Sequence, residues 1–335
     1  MDYSKYIMQI APYIDGVEKV YEYETDSSHS NFIIVCDCNG KNYMCKIVYD
    51  TALSGVLESV RYEFMALKIA SDLGIAPKPV MYNAELNIVV SEFIESNGRY
   101  DISLEGVIDR AKYARILSKV EVGEMKFLEK HGSFRRDYEE HRRLLDEALA
   151  YASKIELSRA KDKIKEDVSL LKKEIMKFEI DFKEAFKLCL SMDDELNKIP
   201  FVLSHNDLVA DNLLTTESGD KYIIDFETVG LSKADFIIGQ LAVDAEIDWY
   251  LEQQKKERIY ILYKELNSIF DNIIGYKLFL ARVLERLVQN ICYSYRQIAI
   301  SAERNYTKEY INKKKQIILF GKKRLIEIKE KFLDE

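Results

Sequence analysis

The hydrophobic period changes along the chain, and that change limits the fold more than any single residue does. From residue 17 to about 95, apolar residues alternate in the manner of strands, with one helical interruption. From about 100 to 200 the sequence is strongly helical and charged; residues 201 to 229 are strand-rich again, and the remainder is helical. Strand side chains alternate faces every second residue, whereas a helix repeats about every 3.6. The chain therefore reads as α+β, with no internal repeat and no low-complexity linker.

Within the first regime, Phe32–Val35 and Tyr43–Val48 are β-rich runs with Asn39-Gly40 between them. Asn-Gly favours a hairpin because both turn positions need positive φ. Val56–Leu73 then has a helical pattern, with Val60, Phe64 and Leu67 on one stripe, and Gly74 and Pro77 end it. Lys78–Tyr82 and Leu86–Glu92 read as two strands around a turn at Asn83. Hairpin, helix, hairpin predicts a small antiparallel sheet carrying one helix. Farther on, Arg135–Leu190 and Ile259–Phe332 alternate apolar stripes with Lys and Glu, the pattern of helices with solvated faces.

Composition narrows the functional classes. The 335 residues suffice for one large or two ordinary domains, and 47% hydrophobic with 32% charged residues reads as soluble and globular. A net charge of -8 disfavours a broad nucleic-acid surface and weakly suits a cationic ligand. The opening MDYSKYIMQIAPYIDG lacks signal-peptide character, and no apolar run is long enough for a bilayer, so a cytoplasmic protein with no membrane partner is expected. Five scattered cysteines argue against a disulfide framework. Cys36-x-Cys38 has no second Cys/His pair to complete a zinc site, so reduced thiols are expected.

The most informative segment is Leu203-Ser-His205-Asn-Asp207-Leu-Val-Ala-Asp-Asn212-Leu-Leu, followed by Tyr222-Ile-Ile-Asp225-Phe-Glu227. It fits His-x-Asp-Leu-x-x-x-Asn and then a hydrophobic strand ending in Asp-Phe. Glu217 to Asp220 form a turn across which Leu213–Thr215 and Lys221–Ile224 pair, so Asn212 comes beside Asp225. Phosphoryl transfer needs that arrangement: an amide and a carboxylate oxygen side by side to share Mg²⁺, and a further carboxylate, Asp207, to take the acceptor's proton. His205 would brace the loop. A plain β-hairpin flanked by acidic turn residues is the alternative, and the joint spacing argues against it.

Upstream, Lys46 interrupts the apolar strand Met44-Cys45-Lys46-Ile47-Val48. It reads either as an edge-strand gatekeeper or as the partner of Glu63, which flanks the apolar stripe of its helix; Glu58 is the rival partner. Ser28, Ser30 and Asn31 lie in Thr25–Asn31, a glycine-free candidate for the phosphate-covering loop. Glu92 and Ile94, in Glu92-Phe93-Ile94-Glu95, follow a strand and precede the helical regime; they are the candidate adenine-binding hinge.

These residues resemble the aminoglycoside phosphotransferase and choline kinase superfamily. Ser-His205-Asn206-Asp207-Leu and Ile-Asp225-Phe226-Glu227 look most like its choline/ethanolamine kinase branch, and Ser30-Asn31, Lys46, Arg61-Tyr-Glu63 and Gly74-Ile-Ala-Pro77 extend the likeness upstream. The resemblance implies a bilobal protein-kinase-like fold, with residues 1–95 as the nucleotide-binding lobe and 96–335 as a helical catalytic and substrate-binding lobe. It implies ATP and Mg²⁺ as cofactors, Asp207 as catalytic base, Asn212 and Asp225 as metal ligands, and Lys46, paired with Glu63, on the α- and β-phosphates. Asp235 would organise the catalytic loop or cap its helix. Choline kinases are tryptophan-rich downstream, and this chain has only Trp249. Glu227, Asp244, Glu246, Asp248 and Trp249, with Tyr250, are candidates for contacting an amine-bearing acceptor, although the stretch from Asp244 fits an exposed helix turn equally.

The leading expectation is thus a small-molecule kinase acting on the hydroxyl of an amino alcohol, aminoglycoside or sugar. A protein serine/threonine kinase is disfavoured, because no activation segment ending in Ala-Pro-Glu follows Glu227. A non-catalytic nucleotide-binding scaffold would not need the full set Lys46, Glu63, Asp207, Asn212 and Asp225. Oligomeric state is left open.

Overall fold

A computed structural model describes residues 17–22, 31–38, 40–48, 59–96, 100–121, 123, 128, 130–157, 162–253, 259–304 and 306–335. The chain divides into two compact units: residues 1–101, 113–128 and 203–230 in the first, and 102–112, 129–202 and 231–335 in the second. The segment around Asp207 and Asp225 therefore groups with the N-terminal sheet.

In the first unit, β1 (Val17–Glu22), β2 (Asn31–Cys38), β3 (Lys41–Val48), β4 (Pro79–Asn83) and β5 (Ile88–Glu92) form one sheet in the order β1-β2-β3-β5-β4. Each neighbouring pair is antiparallel. Helix α1 (Ser59–Asp72) lies between the hairpins in sequence, as expected; the expected start at Val56 lies outside the described residues. Gly40, at φ 76°, takes the left-handed conformation that the β2–β3 turn requires. At the β4–β5 turn, Asn83 Oδ1 accepts hydrogen bonds from the amides of Glu85 and Leu86, which fixes the turn by side-chain mimicry of a backbone carbonyl.

The pleat decides what each face carries. Ile34 and Cys36, Cys45 and Ile47, Ile88 and Val90 all point to one side and form a core with Met81. Lys46, between Cys45 and Ile47, must then point to the other side. There it is paired in register with Val89, which is itself buried. Lys46 is only 4% exposed, so the gatekeeper alternative fails: this lysine sits on a central strand, inside the molecule.

The same unit contains β7 (Leu213–Thr215) and β8 (Lys221–Ile223), paired antiparallel around the Ser218-Gly219 turn as the sequence predicted. Ile223 donates its amide to Ile75 O at 2.7 Å, which ties this hairpin to the turn after α1. Strands β6 (Phe201–Ser204) and β9 (Gly230–Lys233) form a two-stranded sheet of their own.

Helix α2 (Leu104–Ser118) is shared between the units. The second unit is built from α3 (Phe134–Leu157), α4 (Asp162–Leu190), a short α5 (Asp193–Leu196), α6 (Ala234–Leu251), α7 (Ile259–Ile269), α8 (Tyr276–Arg304) and α9 (Lys308–Asp334). Its centre is polar. The fully buried Arg282 donates to Asp235 and Asp137 at 2.9 Å, to Glu285 at 3.1 Å and to the carbonyl of Gly132 at 3.0 Å. Glu285 accepts or shares a proton with His141 at 2.7 Å. Gly239 explains how α6 comes so close: a Cβ there would lie 2.2 Å from Arg282 Cγ. No helix among the described residues is long and apolar enough to cross a membrane.

Candidate active site

Lys46 is the centre of the site. Its Nζ lies 3.0 Å from Glu63 Oε1 and 2.9 Å from Glu227 Oε2, and it also bonds Asp225. The Lys46–Glu63 pair is the one the strand and helix patterns suggested; the other two carboxylates arrive from the segment after β8. Glu63 does more than flank its helix stripe. Val60, Glu63, Leu67 and Ala70 are all buried, at the i, i+3, i+7, i+10 spacing of one helical face, so Glu63 occupies a core position, while Phe64 is only half-buried.

Three carboxylates around one ammonium leave the group with an excess of negative charge. Burial pushes the Glu63 carboxyl up to about 7, with Lys46 opposing the rise. For Lys46, burial favours the neutral amine, but Asp225, Glu63 and Glu227 overcome it and hold the ammonium well above the usual range. Burial likewise acts to raise Asp225, and Lys46 outweighs it, leaving that carboxyl below its ordinary value.

The loop from Ser204 to Asn212 is laced to the loop from Ile224 to Thr228. His205 Nε2 lies 2.7 Å from Ile224 O, and the Asp207 amide N–H donates to His205 Nδ1 at 3.3 Å. A ring nitrogen that accepts from an amide is unprotonated, so Nε2 carries the hydrogen and donates to the carbonyl. Burial lowers the His205 pKa, which keeps this neutral tautomer. Its ring packs edge-on against Phe226, with centroids 4.7 Å apart. Thr228 Oγ1 donates to His205 O at 2.8 Å, Asn206 Nδ2 to Thr228 O at 3.0 Å, and the Ile224 amide to Asn212 O at 3.0 Å.

Asn206 (φ 63°) and Asp225 (φ 64°) are both left-handed, a conformation that costs a residue with a Cβ and is kept where surrounding bonds enforce it. Asn212 Nδ2 donates to Asp207 O at 2.7 Å and approaches Asp207 Oδ2 at 3.4 Å. With its nitrogen committed, the side chain presents Oδ1 as its remaining acceptor. The structure thus brings together Lys46, Glu63, His205, Asp207, Asn212, Asp225 and Glu227 within one unit. The Asn206–Thr228 lacing went unpredicted; its signal was an amide side chain placed between His205 and Asp207.

Other expected residues fall elsewhere. Ser28 and Ser30, with Glu58, lie outside the described residues, and Asn31 opens β2 opposite Val48. Glu92 ends β5, and its amide is given to Lys78 O at 2.9 Å. Asp244, Glu246, Asp248 and Trp249 sit on α6 in the second unit.

Two of those four acceptor assignments are corrected. Glu246 is fully buried, and Arg324 holds both its oxygens, at 2.9 and 2.6 Å. Trp249 is buried, with its Nε1 donating to Ile102 O. Asp244 is raised by burial, with Arg286 and Arg110 opposing that rise. The acidic stretch is neither an exposed helix turn nor an unpaired carboxylate cluster. Asp235 is not a helix cap either: Lys233 holds that position, and Asp235 is the partner of Arg282.

The fold has clear counterparts among solved structures. The choline kinase LicA from Streptococcus pneumoniae matches with TM-score 0.60 and 14% identity over 95% of this chain and 97% of its own. A Plasmodium vivax ethanolamine kinase matches with TM-score 0.62 and 16% identity over 95% and 88%. The spectinomycin phosphotransferase APH(9)-Ia, solved with ADP and spectinomycin, matches with TM-score 0.58 and 15% identity over 95% and 94%. The chain has the protein-kinase-like fold. At these identities the likeness is one of fold. No family model matches the sequence, and no curated protein matches it.

Proposed function

We propose that this chain is an ATP-dependent phosphotransferase acting on the hydroxyl of a small molecule, with Mg²⁺ as its cation. One observation carries the reading: Lys46 is engaged at once by Glu63, Asp225 and Glu227, in the unit whose laced loops carry Asp207 and Asn212. A purely structural lysine needs one buried counter-ion, not three.

The donor set fits a hard divalent cation. Asn212 and Asp225 offer oxygen ligands, and the carboxylates about Lys46 exceed its charge. Among the described residues no cluster of three or more His, Cys, Asp or Glu side chains forms a cage for a metal. That agrees with Mg²⁺, which is typically held by one or two protein oxygens plus the phosphates of its substrate. Bound there, Mg²⁺ would neutralise phosphate charge and align the phosphoryl group for transfer.

The chain's own residues take the other tasks. Lys46, kept charged by its three neighbours, sets its ammonium on the α- and β-phosphates, and Glu63 fixes its direction. Asp207 receives the proton of the acceptor hydroxyl, and His205 holds Asp207's backbone without exchanging protons. In this reading residues 1–95 carry the nucleotide, and 96–335 carry the catalytic loop and the acceptor side. Mononucleotide complexes among the fold's counterparts, with ADP in the spectinomycin phosphotransferase, support ATP as donor.

A small-molecule acceptor is favoured over a protein by the path of the chain. After Asp225 it runs through a single 3₁₀ turn (Phe226–Thr228) and β9 directly into α6 at Ala234, which leaves no activation segment. With Glu246 and Trp249 committed internally, a preference for amines rests on the motif resemblance and on Asp244 and Asp248 alone.

The test is label transfer from ATP to a panel of amino alcohols, aminoglycosides, neutral sugars and proteins, with Mg²⁺. Transfer to a small hydroxyl compound is expected. Asp207→Asn should lower kcat by about a hundredfold or more while nucleotide binding persists. No Mg²⁺-dependent transfer to any acceptor, or wild-type turnover in Asp207→Asn, would defeat the assignment.

A further inference from the structure

Helix α9 carries an exposed apolar stripe that the fold leaves uncovered. Leu319, Ile326 and Leu333 are 66%, 51% and 68% exposed, and they recur every seven residues. Its inner residues, Ile317, Ile318, Leu325, Ile328 and Phe332, are buried. A heptad of exposed large apolar residues on the face opposite the core is the pattern of a helix that packs twice, once inside its own domain and once outside it.

The neighbouring helix extends the patch. Lys322 pairs with Glu174 at 3.5 Å, and Lys329 with Asp181 at 3.1 Å and Glu184 at 2.9 Å, so α4 runs alongside α9 in the same direction. On α4, Met176 and Ile180 are 62% and 66% exposed. With about 100° between successive residues, these two are rotated away from the Glu174–Asp181 seam and face out of the unit, as the α9 stripe does. Two parallel helices thus both carry exposed apolar residues at the level of Ile326.

The charges on the stripe say what fits it. Lys323 and Glu330 lie four residues after Leu319 and Ile326, on the same exposed face, and neither has an ion-pair partner within the described residues. Lay a second α9 antiparallel on the first, with Ile326 on the twofold axis. Leu319 then comes level with Leu333 of the copy, and Lys323 comes within one residue, about 1.5 Å of rise, of Glu330, at both ends. A parallel copy would set lysine against lysine and glutamate against glutamate. The pattern is self-complementary in one orientation only, as a twofold interface requires.

We propose that the α9 face, flanked by Met176 and Ile180 of α4, is a homodimer interface in which two copies of α9 pack antiparallel about Ile326. Five apolar anchors per protomer and two symmetric ion pairs are at the modest end of specific interfaces, so the dimer forms in the micromolar range.

Sedimentation velocity of the full chain from about 1 to about 200 µM tests this. A concentration-dependent monomer–dimer transition is expected. Ile326→Glu should weaken it by about a hundredfold or more, because it sets two like charges together at the axis. Leu73→Glu, at an exposed leucine of the first unit, should leave it unchanged. Lys323→Glu and Glu330→Lys should each weaken the dimer by about tenfold, and combining them should restore it, since the double exchange rebuilds both pairs. Circular dichroism keeps loss of fold separate from loss of association. A chain that stays monomeric throughout, a dimer indifferent to Ile326→Glu, or charge exchanges that do not rescue one another would overturn the proposal. So would a monomer that sediments with phosphatidylcholine–phosphatidylglycerol vesicles through Ile326, which would assign the face to lipid.

Discussion

His205 offers the sharpest separation of a structural role from a chemical one. Replacing it with alanine removes the donor to Ile224 O and leaves that carbonyl without its 2.7 Å partner, a loss of about 1–3 kcal/mol for a buried group. The weaker 3.3 Å bond from the Asp207 amide adds about 0.5 kcal/mol, and the lost packing against Phe226 about 1 kcal/mol. His205→Ala should therefore destabilise by about 3 kcal/mol, a melting shift of about 2–4 °C per kcal/mol for a unit this size. Turnover should fall about tenfold to a hundredfold, because Asp207 is present but loosely held.

Glutamine places an amide N–H near the position of imidazole Nε2, so His205→Gln keeps the brace. It should lie within about 1 kcal/mol of wild type and within about fivefold in kcat. The His205 pKa is depressed in the folded protein, so its neutral form contributes stability that is present above the unfolded value of about 6.5 and lost as pH falls through the lower folded value. Below about pH 6.5 the wild type should thus lose melting temperature relative to His205→Gln. Differential scanning fluorimetry across pH 5 to 8, paired with kinetics of both variants, reads all of this. If His205→Gln is as inactive as His205→Ala, and the acid limb of the rate profile vanishes with the imidazole, His205 exchanges protons and the brace reasoning is wrong.

Three further outcomes follow from the charge arrangement. Asp225→Ala should abolish Mg²⁺-dependent nucleotide affinity, measured by calorimetry with and without chelator, and unchanged affinity would remove it from the cation site. Lys46→Ala should cost folding only about 1–3 kcal/mol, since Glu63 can take up a proton when its partner goes, while kcat/KM for nucleotide falls by about a hundredfold or more; a collapse in stability with normal kinetics would reverse the assignment. Glu63→Gln should leave the melting temperature unchanged or raise it, because it relieves the excess of negative charge, yet lower turnover by about tenfold or more; a strongly destabilised variant would mean that Glu63 serves the core rather than Lys46.

Much of the first unit was legible in the sequence because its signals are local. The Asn39-Gly40 signal, the period-two runs and Gly74 all act within a few residues, and the antiparallel pairing of β2 with β3 that they imply is the one observed. The segment from Ser204 to Glu227 was legible for a related reason: β7 and β8 are adjacent in sequence, so their short hairpin brings Asn212 beside Ile224 with little loop to close. The alternation of strand faces was also enough to send Lys46 away from Cys45 and Ile47, although not to say that it would be buried. What the sequence hid is long-range. Glu227 meets Lys46 from far along the chain, Glu246 meets Arg324 across two helices, and Arg282 gathers acids from α3, α6 and α8. An acidic residue on a helix has the same local pattern whether it faces water or an arginine 78 positions away. The reading of Glu246 and Trp249 as acceptor contacts failed at that point.

The two buried charge groups differ in balance, and that difference bears on function. Arg324 and Glu246 form a two-point pair in which each charge is matched and both oxygens are satisfied, which is how a structural ion pair tolerates burial. Around Lys46 the count is uneven: one ammonium, a fully buried glutamate held close to neutrality, and two partly exposed carboxylates, one of them on a left-handed backbone. Such an arrangement stores unfavourable free energy that a folding core would shed by losing a carboxylate. It fits the proposed reading, in which Asn212 and Asp225 would hold a divalent cation supplying the missing positive charge and Lys46 would turn its ammonium to phosphate oxygens. The unevenness at Lys46 is therefore the feature on which the proposed nucleotide-using role rests most, since a well-packed hairpin beside a sheet would not need it.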